Sequence, residues 1–449
     1  MDTADIPNGK YCVLSAGAPQ TVAGLTVEGQ LDVGSKLSVT TMNTTGIFNV
    51  PTGGEVDVLG SADLGGPGTI SGQIDSQGSS VTFDPSSRMV LGNGAQLTGA
   101  LFNIFGPLTC NAALSMSALV ILDYNGGSHL GSLTGPGSMS DGGEFDWDGG
   151  ILGLAGGADF IASADLKIQG GGYKELSAGT LTDGCNGSEI GGTNTLQIDA
   201  GATFDNEGNP GTDVTIPLIV MLARTGPSGT FLNGGDGFLD VKGTTTIAGH
   251  FINLGTLEVG TGSSLTLNQS GGVPVEVDLD GTVQLDGDLT LIGDISSPSG
   301  FNEEAGGGTL KVGDGTNAGS LTLASGTSTV LSGNVEVSGT GTLTGAGFLH
   351  NSGLLTLDPN SLTTIGSYQQ SSIGTLDEQV TPRLSPTFTV TGTAQLSGTL
   401  KIDFEDGYTP PSGTVFTVLT AGDVEDHFDT TPDNMTMTYT STGVTATEN

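Results

Sequence analysis

The stretch Gly249-His250-Phe251-Ile252-Asn253-Leu254-Gly255-Thr256-Leu257-Glu258-Val259 decides how the rest of the chain is read. It has a copy at Gly347-Phe348-Leu349-His350-Asn351-Ser352-Gly353-Leu354-Leu355-Thr356-Leu357. In both, an aromatic residue or Leu is followed by x-Asn-x-Gly, and two apolar residues then follow at a spacing of two (Leu257 and Val259; Leu355 and Leu357). Alternation of this kind puts apolar side chains on one face of a strand and polar ones on the other. Asn tolerates a left-handed corner, and its amide can bond the coil above or below. Asn206 and Asn233 stand in two further copies, Phe204–Gly208 and Phe231–Gly235. The expected structural repeat positions are therefore Asn206, Asn233, Asn253 and Asn351.

Outward from these copies the same period continues. Leu25, Val27, Leu31, Val33, Leu37 and Val39 alternate near the start, and Leu265, Leu267, Leu289 and Leu291 do so later. The strands are short, with Gly, Asn, Asp and Ser between them. A second pattern, Leu-x-Gly-x-Gly, recurs at Leu64–Gly68, Leu133–Gly137 and Leu343–Gly347. Two architectures accommodate so many short strands: separate sandwiches, or a solenoid in which each strand pairs with its equivalent one turn later. Aromatics make up only 5% of the chain, and small apolar residues dominate, which suits a narrow solenoid interior. The expected fold is all-β: a single elongated parallel β-helix (β-solenoid), right-handed, with three short faces per coil and a C-terminal β cap. Roughly 20–25 residues would make each coil, and glycines with positive φ would turn its corners.

Three divisions follow. Residues 1–20 form an N-terminal lead-in and cap, residues 21–365 the solenoid, and residues 366–449 a C-terminal β section containing Pro382, Pro386, Pro410 and Pro411. An uncovered last coil would expose strand edges, so a cap is expected there.

Composition excludes several functions. The chain has 449 residues, 78 of them Gly, with 10 Lys plus Arg against 48 Asp plus Glu and a net charge of -38. The cations are scattered, so nucleic-acid binding and attachment to anionic membranes are not expected. The apolar run from Ile216 to Ala223 is too short to span a membrane as a helix and contains Pro217, so no membrane insertion is expected. Met1-Asp2-Thr3-Ala4-Asp5 lacks the basic and apolar regions of a secretion signal, which suits a mature or excised piece carrying an added Met. Cys12, Cys110 and Cys185 fit no zinc spacing; buried thiols, or one disulfide with a spare thiol, are both open.

The chain resembles the β-helix repeat regions of large bacterial surface proteins, adhesin-like and autotransporter-passenger-like. The residues that carry the resemblance are Gly142-Gly143-Glu144-Phe145-Asp146-Trp147-Asp148-Gly149-Gly150, Gly201–Asn206 and the Gly249 and Gly347 repeats. In the C-terminal part they are Gly366–Gln370, Gly374–Leu376, Val390–Leu400, Gly407–Pro410 and Val415–Thr420, whose order resembles the closing segment of such passengers. The resemblance implies an extracellular, cell-surface location. It implies no particular activity, because one scaffold serves many roles.

Candidate chemistry centres on Asp141, Glu144, Asp146 and Asp148 around Trp147. On an extended strand Glu144, Asp146 and Asp148 share one face, with Phe145 and Trp147 on the other. The functional readings are a calcium site or a carboxylate pair for glycan cleavage by a hydrolase or lyase. The plainer reading is a solvated acidic face with two aromatics in the core. Asp278, Asp280, Asp286, Asp288 and Asp294 would stack as a second carboxylate ladder, held by calcium or simply hydrated. Gly234–Asp240 matches a calcium nonapeptide repeat poorly and does not recur. His129, His250, His350 and His427 are too dispersed for a metal site or a catalytic triad, and no serine elbow or phosphate loop is present. The expectation is a non-catalytic structural or adhesive solenoid of a bacterial surface, stalk or filament, without a cofactor beyond a structural Ca2+. Its expected partners are further copies of itself or surface glycans. The alternatives are a polysaccharide-active enzyme and a carbohydrate-binding module.

Overall fold

The computed structural model describes residues 2–15, 17–123, 131–155, 157–185, 188–191, 195–199, 201–207, 212–214, 218–221, 229–234, 237–268, 277–278, 282–285, 287–292, 294–296, 309–313, 318–326, 328–331, 333–405 and 407–449. Every regular element among them is a β-strand, and there is no helix long and apolar enough to cross a membrane. Nearly all strand pairs are parallel, each strand lying on its equivalent one coil earlier, so the chain is a β-solenoid. It divides into two compact units, Met1–Phe231 and Leu232–Asn449.

In the first unit the early coils use long bent strands that serve two faces at once. Lys36–Thr44, Glu55–Leu64, Gln73–Phe83 and Gln96–Ile104 stack in this way. Their register shifts part-way, for example between Val39 and Thr41 and between Gly99 and Leu101. In the coil after Ile104 the bend becomes a break: Leu114–Met116 and Leu119–Leu122 lie side by side on the two halves of Gln96–Ile104, and only Lys174–Asp183 later spans two faces again among the described residues of this unit. A third ladder runs through Tyr11–Leu14, Gln30–Val33, Ile47–Val50 and onward to Gly150–Leu154. Thr3–Ile6 already lies parallel on Gly24–Val27.

The second unit shows the three faces as separate strands until Thr387–Leu396, a single strand that lies on both Leu362–Ile365 and Ser367–Gln370. Thr342–Gly345, Phe348–Asn351 and Leu354–Leu357 make one coil. Leu362–Ile365, Ser367–Gln370 and Thr375–Val380 lie on them as the next. Parallel stacking ends at Val415–Asp426, which pairs parallel with Thr387–Leu396 and antiparallel with Gly443–Glu448. Met435–Thr440 is likewise antiparallel to Gly443–Glu448, forming the C-terminal β cap.

Alternation produces the core directly. Strand after strand shows inward residues at or near zero exposure between half-exposed neighbours, as in Leu119–Leu122 and Thr256–Val259. Each buried Leu, Val or Phe contributes about 1.5–3 kcal/mol relative to an exposed one. Aromatics stack between coils, Phe83 on Phe102 with centroids 6.5 Å apart and Phe145 edge-on to Phe160 at 4.7 Å.

Coil length varies more than the expected range. Gly24 opposes Thr41, seventeen residues on, whereas Thr290 opposes Thr322, thirty-two residues on. Two of the three Leu-x-Gly-x-Gly stretches are structurally equivalent. Gly135 and Gly345 end their strands with φ of 133° and 129°, and a Cβ there would meet the carbonyl oxygens of Cys110 and Leu323 at 2.1 and 1.9 Å. The third, Leu64–Gly68, crosses from one strand to another: Leu64 ends Glu55–Leu64 and Gly68 lies within Pro67–Ile70.

Candidate functional site

Met139–Asp141 and Glu144–Trp147 meet at the Gly142-Gly143 corner, and Gly150–Leu154 completes the coil. Phe145 and Trp147 are wholly buried, so the strand's other side faces outward with Glu144 and Asp146 partly exposed. Trp147 sits between Leu122 and Ile168 of the neighbouring coils, and its Nε1 donates to the Gly150 carbonyl at 3.3 Å. The tryptophan is a core residue, not an exposed platform.

Both outward carboxylates are already engaged. Lys167, one coil on, donates to Glu144 and lies 3.3 Å from Asp165. Gln169 Nε2 donates to both oxygens of Asp146, at 3.1 and 3.0 Å. Burial pushes the Asp146 carboxyl up to about 6 against the Gln169 hydrogen bond, with Asp148 and Glu144 adding to the rise and Lys167 opposing it. Asp148 is also raised, by burial and then by Asp123.

Asp141 does not join them. It ends its own strand inside the solenoid, wholly buried, and accepts the Gly143 N–H at 2.8 Å. Its Oδ2 has no partner among the described residues. Burial raises the carboxyl to about 6, opposed by that one hydrogen bond. The expected quartet is therefore divided, with Asp141 in the core and the other three outside. The cause is the Gly142-Gly143 corner, which changes face between Asp141 and Glu144. Among the described residues no three His, Cys, Asp or Glu side chains come together to hold a metal ion.

Asp141 belongs instead to an internal polar column. Asp141, Ala162, Asp183 and Asn206 oppose one another in successive coils. Asp183 accepts from the Cys185 N–H at 3.1 Å and from Ser188 Oγ at 2.8 Å. In the second unit Asn233, Asn253, Asn351 and Gln370 are likewise buried at strand ends. Asn233 Nδ2 reaches Asn253 Oδ1 at 2.6 Å and the Thr256 carbonyl at 3.0 Å. Asn351 Nδ2 reaches the Tyr368 hydroxyl at 3.2 Å and the Thr375 carbonyl at 3.0 Å, while its Oδ1 accepts the Gly353 N–H at 3.2 Å. The amide does bond from coil to coil, but none of the four asparagines has a positive φ; only Asn360 and Asp426 do among the described non-glycine residues. The corner's left-handed demand falls elsewhere: Asn351 serves the turn by accepting the N–H two residues on, whereas Asn253 donates to the carbonyl two residues on.

Sequence reasoning missed three members of this interior. Asp141-Gly142-Gly143 is the aspartate version of Asn-x-Gly, and Asp183-Gly184-Cys185 makes a similar corner with Cys in place of the last Gly; both were masked because Asp reads as a surface residue. Lys174 is the third. It is wholly buried, bonds the carbonyls of Gly170 and Gly172 at 3.3 and 3.2 Å, and is held below its ordinary value by burial, with Asp148 and Asp146 pulling the other way. Its phase with buried Leu176 was the available signal.

The second acidic run does not form one ladder. Asp288 lies on a strand between Ser264 and Ser320, whereas Asp278 opposes Ile252 and Asp294 opposes Ser328 on a different face. Asp280 and Asp286 lie outside the described residues, as do His129, Gly235 and Asp236. Cys12, Cys110 and Cys185 are free thiols, the last two buried.

No known protein family matches the chain, and no curated protein matches it. Among solved structures, a TibC-catalyzed hyper-glycosylated fragment of TibA is similar, at 14% identity over 94% of this chain and 100% of that chain, with a TM-score of 0.18. At that score the likeness carries no argument about function.

Proposed function

We propose that the chain is a non-catalytic structural or adhesive β-solenoid of a bacterial cell surface, stalk or filament. The observation that carries this reading is the state of the best chemical candidate. Phe145 and Trp147 are spent on the core, Glu144 is tied to Lys167, and Asp146 is tied to Gln169. What remains outward is a polar surface on continuous backbone ladders, which suits a load-bearing or displaying element. The net charge of -38 keeps such a surface hydrated and soluble. Its partners in this reading are surface glycans or further copies of itself.

The test is display of the chain on a non-adherent bacterium, with attachment scored on glycan-coated surfaces and against cells displaying the same chain. Purified protein is assayed in parallel for cleavage of neutral and acidic glycans. Attachment or cell–cell clumping without cleavage is expected. Glycan cleavage that is lost in Asp146→Asn overturns the reading and supports the enzyme alternative, which the raised Asp146 carboxyl favours.

A further inference from the structure

One face of the second unit carries an uninterrupted column of threonine. Thr246 opposes Thr266, and Thr266 opposes Thr290. The column continues with threonine in each coil through Thr322, Thr344 and Thr364 to Thr389 and Thr420. Two residues earlier on the same strands lies a second outward column, with Thr244, Ser264, Asp288, Ser320, Thr342 and Thr387 among its members and Leu362 as its apolar break. Between the columns the chain points Leu265, Leu289, Leu321 and Leu343 into the core.

Strand propensity alone does not account for this. Threonine is favoured in strands generally and would be enriched on every face. The neighbouring face of the same unit does hold threonine, at Thr256, Thr282, Thr375 and Thr399, but that column is interrupted by Asn334 and Leu354, and the column beside it reads Asp240, Glu258, Gln284, Lys311 and Glu336 in successive coils. A second, independent feature is the register. Coil length ranges from twenty residues (Thr246 to Thr266) to thirty-two (Thr290 to Thr322), yet no bulge interrupts these pairings from Thr244 to Val390. The extra residues are placed away from this face.

The result is a regular grid of hydroxyls. Strands lie about 4.7–4.9 Å apart, and residues two apart on a strand are separated by about 6.6 Å. Threonine is stiff at χ1, so each hydroxyl is held beside its own methyl group, and each can donate once and accept twice. Neighbouring hydroxyls of the grid touch: Ser264 to Thr244 at 3.2 Å and Thr420 to Thr389 at 3.3 Å. A ligand for such a face is extended, uncharged, periodic in two directions, and both donor and acceptor. Nucleic acid and ions are poorly served, since the only charge in the two columns is Asp288, which accepts from Ser320. A sugar chain is poorly served as well, since neither column presents an aromatic platform.

We propose that this threonine face binds ordered water at an ice surface, its hydroxyls taking lattice positions and its methyl groups sitting in the gaps between them. The inference stands on the geometry of Leu232–Asn449 and does not depend on the adhesive reading.

The test uses the full chain in three forms: unaltered, Thr322→Tyr within the grid, and Thr356→Tyr on the neighbouring charged face. Partition into slowly grown ice and inhibition of ice recrystallisation are measured, with circular dichroism melts confirming that all three are folded. The unaltered chain and Thr356→Tyr are expected to enter ice and to halt recrystallisation alike, with Thr322→Tyr at least tenfold weaker. Thr344→Val, which keeps the shape and removes one hydroxyl, is expected to fall between them. Exclusion of the unaltered chain from ice overturns the proposal. So does equal weakening by Thr322→Tyr and Thr356→Tyr, or an unaltered chain that ignores ice and binds a glycan through this face.

Discussion

Asn233 donates its side-chain amide to the side-chain oxygen of Asn253 at 2.6 Å, and both side chains are wholly buried. The two residues end equivalent strands, so the bond links one coil to the next through the interior, independently of the backbone ladders. Asn253 Nδ2 in turn donates to the Gly255 carbonyl at 3.2 Å. Removing one member leaves buried polar groups short of a partner, which costs about 1–3 kcal/mol each. Asn253→Ala is therefore expected to lower the stability of the chain by roughly 2–4 kcal/mol, cavity included. Urea unfolding reads this directly. A loss under about 0.5 kcal/mol would mean that the amide pair contributes nothing net.

The alternating strands were legible because they rest on a period of two that no other structure shares. Leu257, Val259, Leu355 and Leu357 are buried as their spacing requires. The corners were legible where they carry Asn and illegible where they carry Asp. Asp141 and Asp183 satisfy the same N–H two residues on that Asn351 does, but a carboxylate reads as a surface group until its strand end is seen to turn inward. The threonine grid was invisible for a different reason. Its spacing in sequence runs from twenty to thirty-two residues, so only the backbone register brings Thr290 and Thr322 together.

The chain's single tryptophan gives an optical test of the core assignment. Trp147 is wholly buried, with Phe145 on the same inward face and Leu122 and Ile168 on either side. Native protein should therefore emit at short wavelength and resist quenching by iodide, and unfolded protein should do neither. Trp147→Ala should cost about 3–5 kcal/mol. Native emission that iodide quenches freely would return the tryptophan to the surface and reopen the site as a sugar platform.

Gly345 tests the corner geometry. Its φ of 129° is one that L side chains rarely adopt, and a Cβ would meet the Leu323 carbonyl oxygen at 1.9 Å. Gly345→Ala should destabilise by about 1–3 kcal/mol or more, since backbone strain and a clash with fixed backbone act together. Gly407→Ala is the control: its φ is also positive, at 70°, but nothing lies within 4 Å of the added carbon, so only the strain is felt. Thermal melts of the two variants should separate clearly, with Gly345→Ala lower. Equal melting would show that the close approach to Leu323 is not constraining.

The pH dependence follows from Asp141. Its carboxyl is raised from 3.8 to about 6 in the folded chain, chiefly by burial. Between those values the folded form holds a proton that the unfolded form has released, so this group's contribution is full below pH 4 and is lost as pH rises through about 6. A shift of two units corresponds to about 3 kcal/mol, which is the upper bound on what the buried charge costs at neutral pH. Asp141→Asn keeps an oxygen to accept the Gly143 N–H and removes the charge. It should therefore leave stability at pH 4 nearly unchanged and raise it at pH 7.5 by roughly 1–3 kcal/mol. Paired urea titrations at the two pH values measure the difference between variant and unaltered chain, which cancels the titration of the many surface carboxylates. A variant that loses stability equally at both pH values would show that Asp141 holds the corner as a partnered carboxylate, not as a buried acid short of a partner.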